Sequence, residues 1–177
     1  MKPVFYLIQE YWRKFNEPID GRKKIQKLMF LVEHWENNKI VKSIGLTGYV
    51  FKIYYYGPFC KKIYDDLDEL VKRKYIEAER ILWQKHPIFK NTLLDGYVDD
   101  SEESGVIWLY SPLKQAPGDQ GLLRKIRLIV SKFGYMSPSE LEIMVNRMLR
   151  LKPIKKLKYL GTPIDEYLSK ENLSASF

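Results

Sequence analysis

Apolar residues along this chain recur at two spacings, and the change from one to the other marks out its elements. Over Pro3–Phe15 the positions Val4, Leu7, Ile8, Tyr11, Trp12 and Phe15 fall three or four apart, which predicts a helix with one apolar face. Asn16-Glu17-Pro18 stops it. Asp20 is the expected N-cap of a second helix, with Ile25, Leu28, Met29, Val32 and Trp35 as its buried stripe. From 49 to 56 the spacing drops to two. Tyr49, Phe51, Ile53 and Tyr55 alternate with Val50, Lys52, Tyr54 and Tyr56, an aromatic and β-branched pattern that suits a pleated strand. Gly57-Pro58 ends that strand and sets a proline at the first position of a third helix, where Ile63, Leu67, Leu70 and Val71 restore the helical period. This strand–corner–helix stretch reads as the unit around which the chain is built.

Residues 75–83 and 106–110 read as two antiparallel strands separated by a polar connection, the layout of an enlarged wing after a recognition-type helix. Its tip is acidic, with Asp95, Asp99, Asp100, Glu102 and Glu103, but the spacing does not match a calcium loop. Pro and Gly between 111 and 119 mark a boundary. Beyond it, Leu122, Ile126, Ile129 and Val130 define a helix ending at Gly134. Ser137-Pro138-Ser139-Glu140 supplies an N-cap, a first-turn proline and a capping-box glutamate for the next one. Residues 152–158 read as a basic connector and 162–168 as a short closing helix. The expected fold class is therefore α+β and mostly helical. A winged-helix-like domain over 1–112 carries a small antiparallel sheet, and a basic helical lobe over 113–177 is appended to it.

With 45% apolar and 14% aromatic residues, the chain has the composition of a globular protein. The apolar run at Val4–Ile8 is too short to span a bilayer, and a lone cysteine excludes an internal disulfide, so the expected compartment is the cytoplasm. Charge changes the picture more. Between 121 and 160 ten Lys or Arg face only Glu140 and Glu142, so this segment accounts for the whole net charge of +8. A local basic excess is the electrostatic footprint of a polyanion binder.

Catalytic and metal signatures are absent from the sequence. His34 and His86 lie apart with no ligand at metal spacing, His34 reads as a helix-surface or core-edge residue, and Cys60 reads as a buried structural thiol. No enzyme activity and no cofactor are expected. DNA is the expected partner. The third helix would present Lys61, Lys62 and Tyr64 to a groove while Arg22, Lys23 and Lys24 touch phosphates. Arg124, Arg127, Arg147, Arg150, Lys155, Lys156 and Lys158 would add backbone contacts. Asp65, Asp66, Asp68 and Glu69 on the same helix oppose that reading, since carboxylates beside phosphates repel. The alternative is a module that binds a protein partner through Tyr54, Tyr55, Tyr56 and Phe59 and through the acidic helix. A homodimer is compatible with either reading, and no membrane partner is expected.

Two stretches, GRKKIQKLMFLV and FKIYYYGPFCKKIYDDLDELVKRKYI, resemble the Panacea or SocA-like antitoxin domains and the related YwgA-like proteins of prokaryotes and phages. Gly21, Arg22, Lys24, Gln26, Lys27 and Leu28 carry the first element of the resemblance, and Tyr56, Gly57, Pro58, Leu67, Leu70 and Ile76 the second. The likeness covers roughly residues 20–80. It implies a helical, winged-helix-like fold and a role in regulation or partner binding without catalysis. Tyr75 stands where the family pattern has a glycine, which implies a different turn at that point.

Overall fold

A computed structural model describes residues 1–82 and 106–171. The acidic positions from Asp95 to Glu103, His86 and residues 172–177 lie outside the described residues. In chain order the elements are α1 (Pro3–Phe15), β1 (Ile19–Asp20), α2 (Arg22–His34), β2 (Trp35–Glu36), β3 (Lys39–Ile40), β4 (Lys52–Tyr54), β5 (Gly57–Phe59), α3 (Lys61–Lys72), β6 (Ile76–Leu82), β7 (Val106–Pro112), α4 (Gln120–Phe133), α5 (Pro138–Met148), α6 (Pro153–Lys158) and α7 (Ile164–Lys170). The class is α+β, about half helical, with small antiparallel sheets. β1, β7 and β6 form a three-stranded sheet in that order, and β2–β3 and β4–β5 are separate hairpins. The pairing of β6 with β7 runs from Ile76 opposite Pro112 to Leu82 opposite Val106, so the two strands flanking the long connection are antiparallel neighbours.

α2 is the centre of the molecule. Every residue from Lys24 to His34 is buried, so the helix is enclosed on all sides and not only along its apolar stripe. α1, α4, α5 and β5 all pack against it, and α1 in turn lies against α4 and β7. His34 is therefore buried, stacked on Phe30 at 4.8 Å between centroids, and not on a helix surface. The polar residues of α2 lie outside the stripe expected from the sequence, yet from Lys24 onward they are buried as well. Burial of those groups is tolerated because each finds a partner on a distant segment.

Local chemistry accounts for most element ends. Asn16 closes α1 in the left-handed region (φ 53°), its N–H donating to Trp12 O at 2.7 Å. The predicted capping box at Ser137 is present, with Glu140 N–H donating to Ser137 Oγ and Ser137 N–H to Glu140 Oε2 at 2.8 Å. Asn37 and Asn38, both at positive φ, form the two-residue turn between β2 and β3.

Four boundaries differ from the sequence reading. Asp20 sits in β1 and takes the Lys24 ammonium at 2.8 Å, leaving Gly21 at the N-cap of α2. The expected long strand over 49–56 is shortened to β4, and Pro58 belongs to β5, so α3 opens at Lys61 with Cys60 as its N-cap. Residues 152–158 contain a helix, α6, where a connector was expected. At the end of α3 the left-handed residue is Lys74 (φ 55°), and Tyr75 N–H closes on Leu70 O at 2.9 Å, which is how the chain turns there without a glycine.

A half-exposed aromatic strip around Arg22

The N-terminal half of α2 grips the β4–β5 hairpin and the start of α3. Gln26 makes a two-way bridge to the Cys60 backbone: its Nε2 donates to Cys60 O at 2.8 Å, and Cys60 N–H donates to its Oε1 at 3.0 Å. One turn on, the buried Lys27 ammonium donates to Pro58 O at 2.9 Å. These bonds tie the backbone of β5 and of the residue that opens α3 to the buried helix. They also hold Cys60 in place, and burial pushes its thiol above the ordinary cysteine range.

Fixing the hairpin and α3 in this way brings four rings and one guanidinium together. Tyr54 stacks edge-on to Phe59 at 5.2 Å, and Phe59 edge-on to Tyr64 at 5.3 Å. The Arg22 guanidinium lies 4.9 Å from the Tyr64 centroid and 5.6 Å from that of Trp108, joining α3 to β7. Its Nε donates to Tyr110 Oη at 2.8 Å, and Asp68 approaches its outer nitrogen at 3.4 Å. All five members of the strip are half-buried; Tyr64 and Trp108 also pack against the edge of the core. Beside it Tyr56, 38% exposed, carries the Lys23 ammonium 4.7 Å over its ring, and Lys23 lies 3.4 Å from Glu142 of α5.

The sequence-derived polyanion residues are dispersed. Arg22, Lys23 and Lys24 meet Asp68, Glu142 and Asp20 respectively, so each first-turn cation of α2 has a carboxylate beside it. Lys62 donates to Asp66, and Arg127 makes a paired contact with the buried Glu10 at 2.9 and 3.2 Å. Lys155 pairs with Glu171. Lys156 turns inward to Tyr55 O at 3.0 Å, and burial lowers its ammonium pKa. Lys61, Arg124, Arg147, Arg150 and Lys158 are exposed, and they are spread over α3, α4, α5, the link after α5 and α6. The acidic helix is likewise partly spent. Asp66 is buried under Tyr49, Lys62 and Lys2, and Glu69 pairs with Lys2 and Arg73.

Of the predicted interface residues, Tyr54 and Phe59 are in the strip, while Tyr55 and Tyr56 form the hairpin turn beside it. Trp108 was not singled out in the sequence, because its signal was absorbed into a strand pattern. Glu33 was missed as well. It is fully buried, accepts from Ser43 Oγ, Gly45 N–H, Thr47 N–H and Thr47 Oγ1, and so ties down the loop before β4. Burial alone would raise its carboxyl pKa, but the Ser43, Thr47 and Gly45 donors outweigh it and hold the group below the usual range. Among the described residues no cluster of His, Cys, Asp or Glu could hold a metal, and no helix is long and apolar enough to cross a membrane.

A family model described as antitoxin SocA-like, Panacea domain, matches residues 25–148. No curated protein and no solved structure matches the chain.

Proposed function

The chain belongs to the SocA-like Panacea antitoxin domain family, and from that premise we propose that it is a non-catalytic module that binds a protein partner. The strip Tyr54–Phe59–Tyr64–Arg22–Trp108 is its docking surface. One observation carries this reading: four aromatic rings and an arginine in continuous contact, all half-exposed on a rigid clasp. Tyr, Trp and Arg are the residues on which binding energy concentrates in protein interfaces. Their fixed geometry here means little side-chain entropy is lost on docking. The matched region contains all four rings, with Arg22 just before it.

The rival reading, a winged-helix regulator that binds DNA through its basic helices, draws on the exposed Lys61, Arg124, Arg147, Arg150 and Lys158. Five cations spread over four helices and a link supply general attraction but no single track for a phosphate backbone.

The test is co-expression with the product of the adjacent gene, followed by purification of the complex and scoring of growth. A complex that forms with the native chain and weakens at least ten-fold for Tyr64→Ala and Trp108→Ala supports the proposal. A complex indifferent to both changes overturns the placement. A salt-sensitive gel shift with duplex DNA, in the absence of any complex, favours the rival.

A further inference from the structure

α6 is turned inside out. An amphipathic helix on a folded protein ordinarily buries its apolar side and leaves its lysines in water. Here Lys155 is paired with Glu171, and Lys156 reaches inward to Tyr55 O, 3.9 Å from Glu142. Ile154 and Leu157 face solvent instead, 82% and 55% exposed, and being three apart they share one side of the helix. Leu160, at 40% exposure, follows directly after it. Large aliphatic side chains grouped on an outer face mark a contact surface more often than an accident of packing. Lys152 and Lys158 stand at the two ends of this helix, Arg147 and Arg150 precede it by a few residues, and all four are exposed.

That rim decides the occupant. A second copy docking face to face would set these cations against their own images on a chain that already carries +8, and like charges across an interface are repelled. We propose that the outer face of α6 docks an acidic segment of another protein, one carrying two or three apolar anchors at helical spacing. The anchors would cover Ile154, Leu157 and Leu160, and the carboxylates would meet the surrounding Arg and Lys. This surface is argued from α6 alone and does not depend on the aromatic strip.

The experiment selects random fifteen-residue peptides from a display library on the full-length chain, then titrates the enriched peptides while recording amide chemical shifts. The expected peptides are net negative with apolar residues three or four apart, and the shifted amides cluster between 150 and 160. The pair Ile154→Ser and Leu157→Ser weakens binding at least ten-fold. Lys152→Glu with Lys158→Glu does the same, and neither pair moves the urea midpoint. Failure to enrich any peptide, neutral or basic consensus peptides, or shifts mapping elsewhere overturns the proposal. So does self-association abolished by Ile154→Ser and Leu157→Ser, or co-sedimentation with anionic vesicles that competes with the peptide.

Discussion

Asn146 of α5 presses on Gly57 of β5 so closely that a Cβ built on that glycine would lie 2.2 Å from Asn146 Oδ1. Gly57 also holds φ at +90°, which side chains seldom adopt. The glycine of the Tyr-Gly-Pro corner is thus required twice, once for its backbone angle and once for the approach of a helix some ninety residues later.

Gly57→Ala is expected to destabilise the chain by about 3 kcal/mol, combining backbone strain of about 1–3 kcal/mol with steric overlap. Asn146→Ala removes the overlap and leaves the angle, so the double variant should recover part of the loss. Urea unfolding of the four members of the cycle measures that coupling. Strictly additive losses would show that the two residues do not meet.

Gln26→Ala leaves the buried Cys60 N–H without its acceptor, while Cys60 O keeps the Ile63 N–H at 3.2 Å, at an expected cost of about 1–3 kcal/mol for the orphaned donor. The same change should expose a thiol that is otherwise buried. Native Cys60 should react with a thiol reagent far more slowly than the unfolded chain, and Gln26→Ala should narrow that gap. Rapid labelling of the native chain would contradict the clasp.

Stability should fall in two steps as the solution is acidified. Burial lowers the His34 pKa, with Val41 O at 3.0 Å from its Nδ1 and the Glu33 and Asp165 charges pulling the other way. A histidine kept neutral by folding binds fewer protons than its unfolded counterpart, so stability begins to drop as pH passes below the unfolded value of about 6.5. Glu33 and Asp66 have depressed pKa values, and their contribution is complete above about 4.3 and is lost as pH falls below it. Urea midpoints between pH 8 and 3 should therefore lose their upper slope in His34→Gln and part of their lower slope in Glu33→Gln. An unchanged upper slope in His34→Gln would sink the first assignment.

Lys156→Glu places a carboxylate against Tyr55 O and near Glu142, and should cost about 2–3 kcal/mol, whereas Lys158→Glu should leave stability within about 0.5 kcal/mol of the native chain. Thermal melts separate the two. Charge reversals meant to probe polyanion binding therefore belong at Arg124, Arg147, Arg150 and Lys158, where folding is not also disturbed. Comparable losses at Lys156 and Lys158 would refute the inward placement of Lys156.

The fold was legible in the sequence where its cause is local. Pro3–Phe15 and the capping box at Ser137 depend on spacing and on residues three apart, and both appear as predicted. Gly134 ends α4, as expected, but not in the left-handed conformation usual for a closing glycine. It is instead right-handed (φ −63°) and is small because the Phe15 ring and Val130 O crowd it, a tertiary cause that no spacing reveals. Only one buried stripe of α2 was legible, because Lys24, Gln26, Lys27, Glu33 and His34 are polar and their partners at Tyr11, Cys60, Pro58, Thr47 and Val41 are known only once the chain is folded. Two of the four rings of the strip were readable as one cluster. Tyr54 and Phe59 stand in one aromatic run, whereas Trp108 joins them only through Arg22, 86 positions earlier by sequence number.

A helix wrapped on every side is made long before its wrapping. During synthesis α2 leaves the ribosome with Lys27 and Glu33 still hydrated, and it waits for α4 and α5, whose last residue is Met148, before its surroundings are complete. Nascent chains halted ahead of α5 should be open to proteases at α2, the segment best shielded once the protein is finished.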